Sequence, residues 1–404
     1  MLKKISLAAL VAMGGMSFAS ATPLTEAIKN VDLNGMLRLR YYNEKPQGEN
    51  SYSMWRTNAV LIFKIPVAEN MSFVMRNSTQ TFLTHTEAND GKISTYSGGD
   101  VTKDSQGVDS TLTNNLLFLS YHQDNLNVIA GKIPVATSIT STDPATPTHG
   151  AGAIATYNVG NGVTVAGAYV EAVKNATADV NAKYIGKAIN NDIFALAGFY
   201  NNDAVNAQAW VYHVENAIKN EVTLSANIDL FKLANIQNDF NIQFHVDYAR
   251  ASYDDELKTA YNYSDSKNFW NINAKGCFSG ATLRIGYAQT SDDKGIISVG
   301  GSDAPIASNE AKTQQAYDIV NERDAKLVYA DGSYNITDAV KLTLAFANFD
   351  MNEKYGDNDA NDYTFQVDYT YNKKLSFQAY YDYLDVDANN ADNTEVRLQA
   401  LYKF

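Results

Sequence analysis

Apolar and polar residues alternate along most of this chain. Phe240, Ile242, Phe244, Val246 and Tyr248 fall on one face of an extended segment, and Asn241, Gln243, His245 and Asp247 on the other. The same two-residue period runs through Val222, Leu224, Ala226, Ile228 and Leu230, through Tyr363, Phe365, Val367, Tyr369 and Tyr371, and through Leu375, Phe377, Ala379, Tyr381 and Tyr383. Alternation sustained over about nine to eleven residues suits a tilted strand that crosses a bilayer. Counting such segments predicts about eighteen strands, starting near residues 33, 54, 71, 113, 126, 152, 163, 192, 205, 221, 239, 268, 281, 326, 340, 362, 375 and 394. The connections alternate too. They are short at 67–70, 123–125, 159–161, 335–338 and 372–374, and long at about 84–111, 138–151, 171–190, 251–267, 291–325 and 384–393. Short turns at one rim and long loops at the other are the pattern of outer-membrane barrels, and an even count puts both termini at the short-turn rim. The long loops, rich in Asn, Asp, Ser, Gly and Thr, read mainly as external spacers.

A soluble β-sandwich would also alternate, so other features must decide. After the first 21 residues no apolar run reaches the ~20 residues of a membrane helix, and mean hydropathy is −0.29. Any membrane crossing is therefore made by strands. The 26 Tyr and 17 Phe against 3 Trp favour β-structure and interface anchoring. Lys3 and Lys4, an apolar stretch over 5–18 and Ala19-Ser20-Ala21 read as a signal peptide, 1–21, which leaves one barrel domain over 22–404. The segment 394–404 alternates to its end. Tyr402 and the terminal Phe404 resemble the signal that the barrel-assembly machinery of Gram-negative outer membranes reads. Together these features predict an all-β, transmembrane antiparallel barrel.

Net charge is −13, and loss of Lys3 and Lys4 with the leader makes it more negative. That excludes nucleic-acid binding through a basic surface and predicts cation preference, with Asp229, Asp247, Asp368 and Asp382 among the acids on strands. A lone Cys277 permits no disulfide framework. The five histidines, His85, His122, His149, His213 and His245, are scattered, and no nucleophile–base or phosphate-loop motif is present. The chain does not read as an enzyme, and it requires no cofactor. Asp254, Asp255 and Glu256 read as solvated loop charge.

A pore needs a polar lumen, a loop that narrows it and charges that bias passage. The second long connection, 137–151, is the candidate constriction loop, with Thr142, Asp143 and His149 as its polar members and Pro144 and Pro147 stiffening it. There are only eight arginines, and five of them, Arg38, Arg40, Arg56, Arg76 and Arg397, fall on four strands that must be neighbours once the barrel closes. A charge at the lipid midplane costs roughly 2–4 kcal/mol, so all five are expected on the lumen side. With Lys132 they would make a basic wall, faced across the gap by the inward loop and Asp143.

Residues 22–38 (TPLTEAIKNVDLNGMLR) are similar to the mature start of the Campylobacter-type major outer membrane protein family. Residues 129–132 (IAGK) resemble that family's strand before its constriction loop, and 397–404 (RLQALYKF) resemble its C-terminus. The resemblance implies an eighteen-stranded trimeric porin for ions and small hydrophilic solutes, leaning towards cations. It also implies calcium in the pore, held in some members by acids on and near the inward loop. Here 133–150 carries a single acid, Asp143, so Asp143 is the one candidate metal ligand of that loop. Two rival functions share the barrel: a substrate-specific channel, and a surface antigen or adhesin acting through its external loops.

Overall fold

The computed structural model describes residues 29–48, 51–86, 109–144, 147–174, 192–299, 304–306, 312–314, 319–351, 359–387 and 392–404. The leader expected over 1–21, and the start of the barrel domain at Thr22, lie outside the described residues. Eighteen strands follow one another: β1 (Asp32–Pro46), β2 (Tyr52–Ala68), β3 (Met71–Thr86), β4 (Asp109–Gln123), β5 (Leu126–Pro134), β6 (His149–Gly160), β7 (Val163–Lys174), β8 (Ile193–Asn201), β9 (Val205–Val214), β10 (Ile218–Asp229), β11 (Phe240–Tyr253), β12 (Ser266–Phe278), β13 (Ala281–Thr290), β14 (Lys326–Asn335), β15 (Val340–Asp350), β16 (Ala360–Thr370), β17 (Leu375–Val386) and β18 (Asn393–Lys403). Each predicted start lies within four residues of the observed one. Among the described residues two short helices sit in connections, α1 (Leu230–Leu233) and α2 (Asp255–Tyr261). Asp254, Asp255 and Glu256, read as loop charge, open α2, where acids favour the helix N-terminus.

Every strand pairs antiparallel with its neighbour in sequence, and β18 pairs with β1. Closure leaves no sheet edge, which a membrane requires because lipid offers no hydrogen-bond partner. At the seam the N–H of Gly35 donates to the carbonyl of Phe404 at 3.1 Å, and the N–H of Phe404 donates back at 3.2 Å. A Cβ at Gly35 would lie 2.8 Å from the Phe404 ring, so the terminal aromatic closes onto a position that only glycine leaves open.

Cross-strand partners share a face, so register separates lipid from lumen. Leu37, Leu39, Trp55, Leu224, Ile272, Ile285, Leu344, Phe365 and Tyr381 are exposed on the outward face. The inward face carries the polar and charged set. Fixed dipoles and side chains inside, apolar side chains outside, is the arrangement expected of a barrel in lipid.

Candidate functional site in the barrel lumen

The segment after β5, 135–148, folds into the lumen. At one end the Ser138 hydroxyl lies 2.8 Å from the Tyr212 hydroxyl and 2.6 Å from that of Thr223, both on the inward face of β9 and β10. At the other end Asp143 lies 3.6 Å from the Arg38 guanidinium on β1, and Arg76 on β3 donates to the Pro144 carbonyl at 2.5 Å. The loop therefore crosses from β9–β10 to β1–β3. Thr140 stiffens it: its hydroxyl donates to the Val135 carbonyl at 2.6 Å and accepts from the Thr137 N–H at 2.8 Å. Thr142 is exposed on this segment.

The described parts of a second connection, 291–299, 304–306, 312–314 and 319–325, also turn inward, which corrects the reading of this connection as an external spacer. The N–H of Val299 donates to the Ile139 carbonyl at 3.0 Å, and that of Ile306 to the Ser138 carbonyl at 2.9 Å. The two loops are thus joined by backbone. Lys267, fully buried on β12, donates to the carbonyls of Asp293 and Glu322. The Tyr253 hydroxyl donates to the Ile296 carbonyl at 2.8 Å. A Cβ at Gly295 would stand 2.2 Å from that hydroxyl oxygen, so the close approach needs glycine. Ile139, Ile296, Ile297, Ile306, Ile319 and Val320 form one apolar core with inward side chains of β8–β17. The signal in the sequence is that Ala249, Ala251, Ala288 and Ala347 occupy inward positions towards the outer ends of their strands. There the alternation loses its polar half and leaves room for isoleucines, whose burial stabilises by about 25 cal/mol per Å². The loops thus occupy the external half of the lumen along β8–β15. The polar side lies along β16–β18 and β1–β3.

On that side the register sets the charges in rows. Arg40 stands directly opposite Arg56 on β2 and Gln399 on β18. Two residues along, Tyr42, Arg397 and Tyr380 are consecutive partners on β1, β18 and β17. Two further along come Glu44, Glu395 and Asp382. Arg40 donates to the Gln399 side-chain oxygen at 2.5 Å and to the Tyr42 hydroxyl at 3.0 Å. Arg397 donates to the side-chain oxygens of Gln314 and Gln378 at 3.0 and 3.1 Å, and its guanidinium lies 4.2 Å over the Tyr380 ring. Gln314, on the second inward loop, also donates its N–H to Asp382 at 3.3 Å and to Thr364 at 3.2 Å. Nothing in local patterning marks Gln314, since its place depends on how a long loop folds. Nearby on that loop, partial desolvation lowers the Lys312 ammonium below the usual lysine range; Arg284, Lys341 and Lys275 add to this and Asp331 opposes it.

The five arginines do face inward. Three expectations are corrected. Lys132 pairs with Leu117 and Ala151, which are on the outward face, and its ammonium donates to the Asn114 carbonyl at 2.5 Å. β5 carries apolar residues on both faces, Ile129 and Ile133 on one and Val128 and Ala130 on the other, so its alternation did not mark the side on which Lys132 lies. His149 belongs to β6, not to the loop, and is buried with its ring against the Pro147 carbonyl. Asp143 does not stand across a gap from the basic wall but touches it through Arg38. The acids come instead from strands, all facing inward and buried: Asp247 and Asp331 on β11 and β14 across the lumen, Asp362 and Asp382 on β16 and β17 beside the arginines. Arg284 and Asp331, cross-strand partners, are 2.5 Å apart.

Calcium requires several oxygen ligands. Asp143 is engaged by Arg38 with Arg76 beside it, and among the described residues no group of three or more His, Cys, Asp or Glu could hold a metal ion. The side chains at Asp143 do not fit calcium.

The whole chain, residues 1–404, matches the model of the family described as Campylobacter major outer membrane protein. No curated protein matches it by sequence. In structure it is similar to OccAB1 of Acinetobacter baumannii (TM-score 0.70, 14% identity, 96% of this chain and 99% of that one). It is similar also to OccK9 (OpdG) of Pseudomonas aeruginosa (TM-score 0.72, 14% identity, 94% and 99%) and to OprD of Pseudomonas aeruginosa (TM-score 0.68, 14% identity, 93% and 95%). At that identity these neighbours speak for the fold, a closed antiparallel barrel, and a channel rather than an enzyme accounts for the family and the lumen together. Matched from end to end by its family model, the chain belongs to the Campylobacter major outer membrane protein family and forms an outer-membrane porin channel for small solutes.

Proposed function

We propose that this porin passes small hydrophilic solutes and ions by passive diffusion, prefers cations, and is narrowest where the loops 135–148 and 291–325 meet the row of Arg40, Arg56 and Arg397. The observation that carries the preference is the inward-facing set of strand carboxylates, Asp247, Asp331, Asp362, Asp368, Asp382 and Glu395. A polyanionic lumen concentrates cations, and the effect fades as the Debye length shrinks from ~10 Å at 0.1 M to ~3 Å at 1 M salt. A reversal potential across a planar bilayer under a salt gradient tests this. Cation preference that weakens in 1 M salt is expected, and anion preference at low salt would overturn it. Diffusion of this kind needs no cofactor.

The outward face of β2–β5 supports the reading that three copies associate there. Thr57, Asn77, Thr79, Asn114 and Lys132 lie on it, and Asn114 donates to Asn77 at 3.1 Å. Polar groups in lipid are costly without partners, and a second copy supplies them where lipid does not. The equivalent face of β13–β17 is apolar throughout its middle, with Ile285, Val328, Leu344, Phe365 and Tyr381. Stepwise closure in threes of reconstituted channels, lost in a variant with Asn77→Arg, is the expected result. Insertion would rest on the barrel-assembly machinery reading Tyr402 and Phe404, whose rings lie 5.9 Å apart at the seam.

A further inference from the structure

We infer that the lumen holds a selective subsite for small zwitterions of dipeptide size, with the carboxylate taken by Arg40 and Arg397 and the ammonium by Glu44, the half-buried member of the carboxylate row beside them. The inference deepens the porin reading and rests on it. Among the described residues neither Arg40 nor Arg397 forms an ion pair. Their partners are neutral: Gln399 and Tyr42 for Arg40, Gln314 and Gln378 for Arg397. A guanidinium held by amide oxygens keeps its full charge and its orientation. Its fork matches a carboxylate, the strongest of its usual partners. Arg397 is further fixed between the rings of Tyr380 and Tyr42, at 4.2 and 5.9 Å from their centroids. Arg56, directly opposite Arg40, adds positive potential. Like charges on paired strands destabilise one another, and an arriving carboxylate relieves that repulsion.

The negative half is as close. Glu44, Glu395 and Asp382 form an unbroken row on β1, β18 and β17, two residues from the row of Tyr42, Arg397 and Tyr380. Asp382 is held by Gln314 and Thr364, and Glu395 by the Tyr380 hydroxyl, so Gln314 ties the two halves together; both acids are buried and add negative potential behind the half-buried Glu44. Two residues along a strand span about 6.8 Å. The charged ends of an extended dipeptide are separated by a similar length of chain, about two residues' rise. A lone amino acid would reach one row, and a neutral solute neither.

The test uses the full chain reconstituted in a planar bilayer, with potassium current recorded while diglycine, diglycinamide or N-acetyldiglycine is added. Diglycine is expected to block saturably. Capping its carboxylate, as in diglycinamide, should weaken the block about tenfold or more, the loss of one charge-assisted pair. Capping its amine should weaken it less, since the arginines still hold the acid end. Arg40→Gln with Arg397→Gln should abolish the distinction between diglycine and diglycinamide, and Arg397→Lys, which keeps the charge but not the fork, should reduce it. Equal block by diglycine and diglycinamide in the parent protein would overturn the subsite, whatever the variants do. So would a double variant that inserts and still discriminates. Stepwise potassium conductance without any diglycine block refutes the subsite and leaves the porin standing. No conductance at all refutes the porin reading itself.

Discussion

The two arcs of the inward wall are built from the same kind of strand, yet they do opposite things. Along β8–β15 the outer inward positions are Ala249, Ala251, Ala288 and Ala347, and they receive the isoleucines of two loops. Along β16–β18 and β1–β3 the inward positions are Arg40, Arg56, Arg397, Glu44, Glu395 and Gln399, and they stay polar. Small apolar side chains invite a loop to dock, because burying apolar surface is favourable and no polar group loses water. Charged side chains repel a docking loop unless it brings partners. Where a loop does reach the charged arc, at Asp143, Pro144 and Gln314, it brings them. Among the described residues the loops therefore dock mainly on the apolar arc and meet the charged one only at these contacts.

The comparison breaks most visibly if the docked arc is undocked. Ile296→Ser with Ile297→Ser removes two fully buried side chains, at a cost of about 2–5 kcal/mol for each large-to-small core change. Single-channel conductance should roughly double as the second loop leaves the lumen, with the barrel still closed by its heat-modifiable mobility. On the charged arc, Arg40→Ser with Arg56→Ser removes facing positive charges. The cation-over-anion permeability ratio should rise about threefold at 0.1 M salt and much less at 1 M. Ser138→Ala removes one loop hydroxyl from beside those of Tyr212 and Thr223, a loss of about 1 kcal/mol. Current noise from transient loop release should increase while mean conductance changes little. Asp368→Asn has the smallest expected effect. Asp368 accepts from Gln366 and Gln378, and with many other acids in the lumen its loss should lower cation preference by only about a fifth in low salt.

How legible all this was depends on whether local pattern or distant contact decides each feature. The outward row of Phe240, Phe244, Val246 and Tyr248 was readable because lipid imposes one rule on one face of every strand. The face of Arg38, Arg40, Arg56, Arg76 and Arg397 followed from that rule, since a charge could not join the lipid row. Lys132 escaped it because β5 is apolar on both faces, with Ile129 and Ile133 on one and Val128 and Ala130 on the other, so alternation there does not mark the lipid side. His149 was misplaced by a strand that begins three residues earlier than its apolar alternation does.

By itself, then, the sequence determined a closed antiparallel barrel of about eighteen strands, the start of β1 and the end of β18 at the short-turn rim and five of its eight arginines gathered on one side of the lumen. Each of these follows from period, strand length and chain order, which are local or topological. Only the tertiary structure decided that Val299 and Ile306 bring their loop inward onto Ser138 and Ile139, that Asp143 latches onto Arg38 instead of opposing it, and that Gln314 bridges Arg397 and Asp382. Those contacts join residues far apart in sequence. A loop's alternatives differ by a few buried side chains and hydrogen bonds, and no periodicity records which of them wins.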